Sequence, residues 1–136
     1  MRRSVKIAFG TLILLAAVAG YGVYWWYGAA GGNIHRIDPA TAKHANEIKA
    51  LVMKGDLKSR ALSRKRLDTL PHDAKVETLL VMADDKEAAV RLFAVARMIR
   101  FRDVPRVRAA LARLTQTDSD PDVKKAAGAA LAGERL

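Results

Sequence analysis

Residues 85–96 carry the clearest fold signal of the chain, and they read Asp85-Lys86-Glu87-Ala88-Ala89-Val90-Arg91-Leu92-Phe93-Ala94-Val95-Ala96. Acidic residues open a run in which apolar and small residues recur at helical spacing. An apolar residue, a cation and an alanine recur every 33 residues, in three rows: Leu57, Val90 and Val123; Lys58, Arg91 and Lys124; Ala61, Ala94 and Ala127. These positions are i, i+1 and i+4 of a helix, so the apolar and alanine positions should share one face with the cation beside it.

Proline, glycine and aspartate divide the chain after residue 38 into six predicted helices. We expect them over residues 39–54, 56–70, 74–83, 86–100, 105–115 and 121–133, with Asp38, Asp73 and Asp85 as N-caps and Gly55 and Gly133 at C-terminal ends. Nothing in this part of the sequence has the pattern of a strand. Short polar turns between helices exclude a parallel α/β unit, so the predicted fold class is all-α.

Two of these segments resemble a known repeat family. Residues 85–96 and 118–131 are similar to the second helix of a HEAT-like repeat of the phycobilisome-lyase type, whose pattern is Asp-x-x-Val-Arg followed by small residues and Leu. The second segment reads Asp118-Ser119-Asp120-Pro121-Asp122-Val123-Lys124-Lys125-Ala126-Ala127-Gly128-Ala129-Ala130-Leu131, and residues 56–62 are a degenerate first copy. The resemblance implies an α-solenoid of about three helix pairs, used chiefly for protein binding and sometimes for nucleic acid. It implies no catalytic residue.

The distribution of charge agrees with an array of repeats. A repeat unit cannot bury its own apolar face, so the middle unit should be the most apolar and the ends more polar. Residues 86–100 are apolar on most sides, whereas residues 56–70 carry Lys58, Arg60, Arg64, Lys65 and Arg66. We therefore expect the first segment at the centre and the second at a water-facing end.

Residues 1–27 predict a membrane anchor. Ile7 to Trp26 supplies 20 residues without a formal charge, about the length that an α-helix needs to cross a bilayer. Aromatic residues suited to the headgroup level follow at its far end: Tyr21, Tyr24, Trp25, Trp26 and Tyr27. A cleaved signal peptide is an alternative, because a basic start precedes the small-x-small site Ala17-Val18-Ala19.

The anchor sets the predicted organisation and location. Residues 28–37 begin with glycine and alanine and predict a flexible tether, which leaves residues 38–136 as the helical repeat domain. Arg2, Arg3 and Lys6 precede the apolar run, against Arg36 and Lys43 after it. This bias predicts a single-pass protein of the inner (plasma) membrane, with a cytoplasmic N-terminus and a periplasmic or extracellular domain.

Composition limits the chemistry of the chain. It has no cysteine, which excludes disulfides, thiolate metal sites and thiol chemistry. His35, His44 and His72 lack the spacing of a metal-binding helix face. The acidic turns at residues 84–85 and 118–122 lack the glycine and distal glutamate of a calcium loop, so we interpret their carboxylates as helix caps. No phosphate loop or catalytic motif is present, and we expect no enzyme, cofactor or metal.

Positive charge is the strongest functional signal. The net charge is +10, with 24 Lys and Arg against 14 Asp and Glu, which favours anionic lipid, acidic protein or nucleic acid as a partner. Our candidate partner-binding residues are Lys58, Arg60, Arg64, Lys65, Arg91, Arg97 and Lys124. Arg64 and Arg97 should form a second row of cations, and we expect both to lie with Arg60 and Lys65 on one exposed side. For the row Lys58, Arg91 and Lys124 the alternative is internal pairing with an aspartate of a neighbouring turn. For the cluster at residues 60–66 the alternative is a solvated helix face.

Two classes of function follow from these signals. The first is a membrane-tethered interaction module, which acts as a scaffold, assembly factor or accessory subunit for an acidic, membrane-associated protein. The second is a basic solenoid that binds nucleic acid, as in HEAT-like DNA glycosylases. The second needs a cytoplasmic domain and aromatic residues for stacking, and only Phe93 and Phe101 follow Tyr27. The sequence therefore favours the first.

Overall fold

The computed structural model describes residues 37–134, and their secondary structure is helical throughout. The six α-helices are α1 (Pro39–Lys54), α2 (Leu57–Asp68), α3 (His72–Ala83), α4 (Ala88–Met98), α5 (Pro105–Thr117) and α6 (Pro121–Ala132), with a 3-10 turn at Ile99–Phe101 after α4. The predicted all-α class is confirmed for this region. The predicted anchor, its aromatic residues and residues 28–36 of the predicted tether lie outside it. Among the six described helices, none has the length and apolar character to cross a bilayer.

The helices pack in pairs that follow one another along the chain. Helix α1 packs on α2, α3 on α4, and α5 on α6, with two to four residues in each connecting turn. Contacts of α1 with α3, α3 with α5, and α4 with α6 join the pairs. Short turns favour such packing because they hold consecutive helices side by side.

Helix α4 lies at the centre of this arrangement. It contacts α1, α3, α5 and α6, and Val90, Ala94, Val95 and Met98 are fully buried. Burying a large apolar side chain stabilises a fold by about 1.5–3 kcal/mol. The prediction that residues 86–100 form the covered centre is therefore confirmed.

Helix α2 differs from its predicted register. Its buried residues are Ser59, Ser63 and Leu67, whereas Leu57 is 84% exposed and Ala61 is exposed as well. The 33-residue rows are therefore wrong in the first unit, although Val123 and Ala127 of α6 are buried like their α4 counterparts. The cause is the position of the helix starts, since the N-caps of α2, α4 and α6 are Asp56, Glu87 and Asp120. Helix α2 thus starts 31 residues before α4, so that Arg60 is the counterpart of Arg91.

The predicted glycines at the helix ends are confirmed, and two aspartates cap helix starts. Gly55 and Gly133 have φ of 72° and 81° and end α1 and α6 in the left-handed conformation, which side chains other than glycine avoid. Asp56 accepts the backbone N–H of Ser59, and Asp120 accepts those of the first turn of α6. Both carboxylates thereby satisfy N–H groups that lack a partner within their helix.

Asp38 is the N-cap residue of α1, as predicted, but its side chain makes no cap bond. Two other predicted caps are wrong. Helix α3 starts at His72, which places Asp73 within its first turn. Asp85 accepts the N–H of Glu87, which is the N-cap residue of α4. The carboxylate of Asp85 is fixed instead by Lys49 of α1, whose Nζ lies 2.8 Å from its Oδ2. An ion pair between helix pairs has taken the place of the local cap.

Candidate functional site

The carboxylates of the described residues are largely used within the fold. Ion pairs join Lys49 to Asp85, Arg66 to Glu47, Arg106 to Glu77, Arg113 to Asp84 and Arg91 to Asp118. Each of these pairs connects different helices or a helix to a turn. The cations that have no such partner are therefore the candidates for contact with another molecule.

Arg91 and Asp118 form the most buried ion pair of the described region. Nε and Nη2 of Arg91 each donate to a carboxylate oxygen of Asp118 at 2.8 Å. Nη1 donates to the main-chain oxygens of Asp85 and Lys86. The Asp118 side chain is 3% exposed. Arg91 thus has the internal role that the sequence left open, and it is not accessible to a partner.

Electrostatics favour the charged form of both members of this pair. Burial alone would raise the pKa of Asp118, but hydrogen bonds from Arg91 and from the backbone of Asp120 outweigh it and lower the pKa. The hydrogen bond to Asp118 raises the pKa of Arg91 against the cost of its burial. The bidentate geometry also fixes the turn before α6 against α4, because the guanidinium fork matches both carboxylate oxygens.

The other two cations of the predicted row behave differently. Lys58 and Lys124 are exposed, and neither lies within 4 Å of a described carboxylate. Arg60, the counterpart of Arg91 by the corrected register, is also exposed, and it too has no described carboxylate within 4 Å. Among the cations of this row, internal pairing therefore occurs only at Arg91 in the middle unit, where Asp118 lies in the following turn.

Helix α2 has the densest group of unpaired cations. Lys58, Arg60, Arg64 and Lys65 are all exposed, and no carboxylate of residues 37–134 forms a salt bridge with any of them. Successive helical residues are turned by about 100°, so these side chains are spread around the exposed part of α2 rather than along one stripe. We call these four residues, with Arg97 of α4, the cationic surface.

Arg97 extends the cationic surface onto α4. Burial is the main cause that lowers its pKa, and the nearby charges of Arg64 and Arg100 lower it further, against the attraction of Asp68. Its Nε is buried and has no hydrogen-bond partner among the described residues. Its guanidinium carbon lies 5.7 Å from the centre of the Phe93 ring, within cation–π range. The repulsion between Arg64 and Arg97 agrees with the predicted second row and favours an anion beside it.

A groove between α1 and α2 was not predicted. It has a volume of about 580 Å³ and is lined by Glu47, Ala50, Leu51 and Lys54 of α1, by Leu62, Lys65 and Arg66 of α2, and by Thr69, the C-cap residue of α2. Leu62 is 43% exposed. We call this feature the α1–α2 groove. Leu62 was its sequence signal, because it is an apolar residue in an otherwise polar and basic segment. The 33-residue rows placed Leu57 and Ala61 on the apolar face instead.

Lys65 lies on the groove side of α2, away from Arg64. One residue of helix separates them by about 100° around the axis. Residues 60 and 64 are one turn apart and share the other flank. Arg60, Arg64, Lys65 and Arg97 were predicted to lie on one side. The structure divides them between two adjoining faces, with Lys65 on the groove side.

The histidines lie apart from these features. His35 is outside the described residues, His44 buries an unpartnered Nδ1, and His72 packs edge-to-face on Phe101 with ring centres 5.3 Å apart. Within residues 37–134, no group of three or more His, Cys, Asp or Glu side chains is placed to hold a metal ion.

Comparisons with protein-family models, with curated proteins and with solved structures each find no match for this chain. The family therefore stays unassigned, and the resemblance to HEAT-like repeats rests on residues 85–96 and 118–131. The structure itself supports the broader statement that residues 37–134 form an all-helical domain of six helices packed in pairs.

Proposed function

We propose that this protein is a membrane-tethered interaction module with HEAT-like helical repeats, which docks an acidic protein through its cationic surface. Its role is that of a scaffold, assembly factor or accessory subunit of a membrane-associated complex. The observation that supports this function is the group of four exposed cations on the 12-residue helix α2 without a described carboxylate in salt-bridge range. The buried Arg91 is paired with Asp118, whereas these four cations form no salt bridge with a described carboxylate. Their charges therefore form no ion pair that joins elements of the described fold.

Unpaired charges of one sign favour a partner of the opposite sign. Each exposed ion pair contributes only about 0–1 kcal/mol, but several neighbouring ones raise the association rate and select against basic partners. Their influence extends about 8–10 Å at physiological salt. A docking contact of this kind should therefore weaken steeply as the salt concentration rises.

The anchor and tether predicted from the sequence support the same function. A module held at the membrane meets partners in that membrane at a high effective concentration, so a weak contact suffices. The short segment of residues 28–37 would keep the domain close to the bilayer. A membrane-associated partner therefore fits better than a freely diffusing one.

Crosslinking in native membranes tests the docking surface. The wild-type chain is compared with an Arg60→Glu/Arg64→Glu variant and with a Lys43→Glu/Lys125→Glu control. All four residues are exposed, and both variants change the net charge equally. We expect the first variant to lose the partner that wild type and control capture. Capture of the same protein by all three would show that the cations of α2 are only solvated.

A protease test addresses the location. Protease added outside spheroplasts should digest the helical domain if residues 28 onward are periplasmic or extracellular. Digestion only after lysis would place the domain in the cytoplasm. That result would overturn the proposed location and restore nucleic acid as a candidate partner.

A further inference from the structure

The α1–α2 groove is an apolar surface that residues 37–134 leave uncovered. Its floor is formed by Ala50, Leu51 and Leu62 together with Thr69. Leu62 is 43% exposed, although leucine is normally among the buried residues. The described core lies on the other side of this helix pair, where α1 contacts α3 and α4. No other segment of residues 37–134 lines the groove.

The spacing of the lining residues defines what shape would fit. The lining residues recur at i, i+3, i+4 and i+7, namely 47, 50, 51 and 54 on α1, and 62, 65 and 66 on α2 with its C-cap residue 69, which keeps a helical backbone. Such spacing places each set on one stripe about two turns, or roughly 10 Å, long. A groove between two helix stripes accepts the apolar face of a third helix, whose own anchors recur at the same spacing.

The rim of the groove carries a charge that selects the occupant. Lys54 and Lys65 are exposed there and form no salt bridge with a described carboxylate, while Arg66 and Glu47 neutralise each other across the groove. The rim is therefore positive. A second copy of this basic chain would bring like charge to it, whereas an acidic segment would be attracted.

From this apolar floor and positive rim we infer that the α1–α2 groove binds an amphipathic helix of a partner protein, with apolar residues at i, i+3, i+4 and i+7 and acidic residues beside them. The inference rests on the proposed function and adds the site and the kind of segment recognised. The groove supplies apolar contact, and Arg60 and Arg64 on the other flank of α2 contribute attraction at longer range. The two faces can therefore be tested separately.

The test measures binding of a synthetic helical peptide to the full-length chain in nanodiscs of neutral phosphatidylcholine. The peptide has about 18 residues, since shorter helices are marginal in water, with leucines at i, i+3, i+4 and i+7 and glutamates beside them. A matched peptide carries lysines in place of the glutamates, and empty nanodiscs measure binding to lipid. Fluorescence anisotropy reports the affinity.

Two matched pairs of variants locate the binding. Leu62→Glu lies in the groove, whereas Leu57→Glu changes an exposed leucine of the same helix outside it. Lys65→Glu changes the rim, whereas Lys125→Glu changes an exposed lysine of α6 outside the groove and outside the cationic surface. We expect Leu62→Glu to weaken binding at least about tenfold and Lys65→Glu several-fold. The affinity of each matched control variant should stay within about twofold of wild type. Circular dichroism checks that all four remain folded, as exposed positions should.

Three results would overturn the inference. The first is equal affinity of the Leu62→Glu variant and wild type for the acidic peptide, and the second is equal binding of the acidic and basic peptides. The third is self-association of the wild-type chain that Leu62→Glu abolishes, which would assign the groove to a second copy. If Leu62→Glu retains the peptide while Arg60→Glu/Arg64→Glu still loses the native partner, the groove inference fails and the proposed function stands. If the groove variants lose the peptide while the Arg60→Glu/Arg64→Glu variant keeps its partner, the groove inference stands and the proposed docking through the cationic surface fails.

Discussion

Removing the carboxylate of Asp118 should destabilise this domain more than removing any exposed carboxylate. In the Asp118→Ala variant, the guanidinium of Arg91 stays buried without the two charge-assisted bonds that Asp118 accepts at 2.8 Å. The backbone N–H of Asp120 loses its acceptor as well. The substitution therefore leaves a buried charge and a turn with fewer hydrogen bonds.

The size of the effect follows from the geometry. Breaking a buried ion pair by removing one partner costs about 3–5 kcal/mol. Nη1 of Arg91 keeps its bonds to the main-chain oxygens of Asp85 and Lys86, so the lower end, about 3 kcal/mol, applies. For a domain of this size each kcal/mol lowers the melting temperature by about 4–8 °C. We expect a decrease of about 12–24 °C.

Thermal unfolding of the full-length chain, followed by far-ultraviolet circular dichroism, measures this decrease. Asp84→Ala is the matched control, because Asp84 pairs with Arg113 at the surface, where an ion pair contributes about 0–1 kcal/mol. Replacing both buried partners, as Arg91→Met with Asp118→Leu, should restore much of the stability. An Asp118→Ala variant that melts together with Asp84→Ala would refute the assigned role of the pair.

Three further predictions concern packing, backbone and pH. Ala94→Asp should destabilise by several kcal/mol because Ala94 is fully buried, while Ala61→Asp at an exposed position of α2 should melt like the parent. Gly55→Ala should destabilise by about 1–2 kcal/mol because its φ is 72°, whereas Gly128→Ala, which meets only a methyl group at 3.8 Å, should stabilise by about 0.5–1 kcal/mol. The pKa of Asp118 is lowered in the fold, so its stabilisation is complete above an unfolded pKa of about 3.9 and is lost as pH falls through the folded value. Urea titrations at several pH values would contradict this if parent and Asp118→Ala lose stability equally on acidification.

The helices of residues 37–134 were largely predictable, because their ends depend on local chemistry. A proline at the first helical position or a glycine in the left-handed conformation acts through its own backbone, which explains why Pro39, Gly55, Pro121 and Gly133 were interpreted correctly. The aspartates were less reliable signals. Asp85 and Asp118 have partners 36 and 27 residues away, Lys49 and Arg91, and such contacts compete with a local cap.

The candidate site was predictable only in part. The sequence identified the cations of α2 and Arg97 as the group to consider. It placed Arg91 and Lys58 in one row, and it missed the α1–α2 groove. Both errors come from the register of α2, where Ser59 and Ser63 occupy the buried positions and Leu57 and Leu62 are left exposed. Serine is a poor signal of burial, and here its hydroxyls are satisfied by Asp56 and by the main chain of Arg60.

Local composition and spacing were thus sufficient for the helical class, the number of helices after residue 38 and the excess of positive charge, because each depends on residues near one another in the chain. The state of each cation depended on tertiary packing. Arg91 is neutralised by Asp118 and Arg66 by Glu47, while Arg64 faces other cations. Coulomb interactions depend on distance in space, and packing determines which charges and apolar side chains meet and which stay available for a partner.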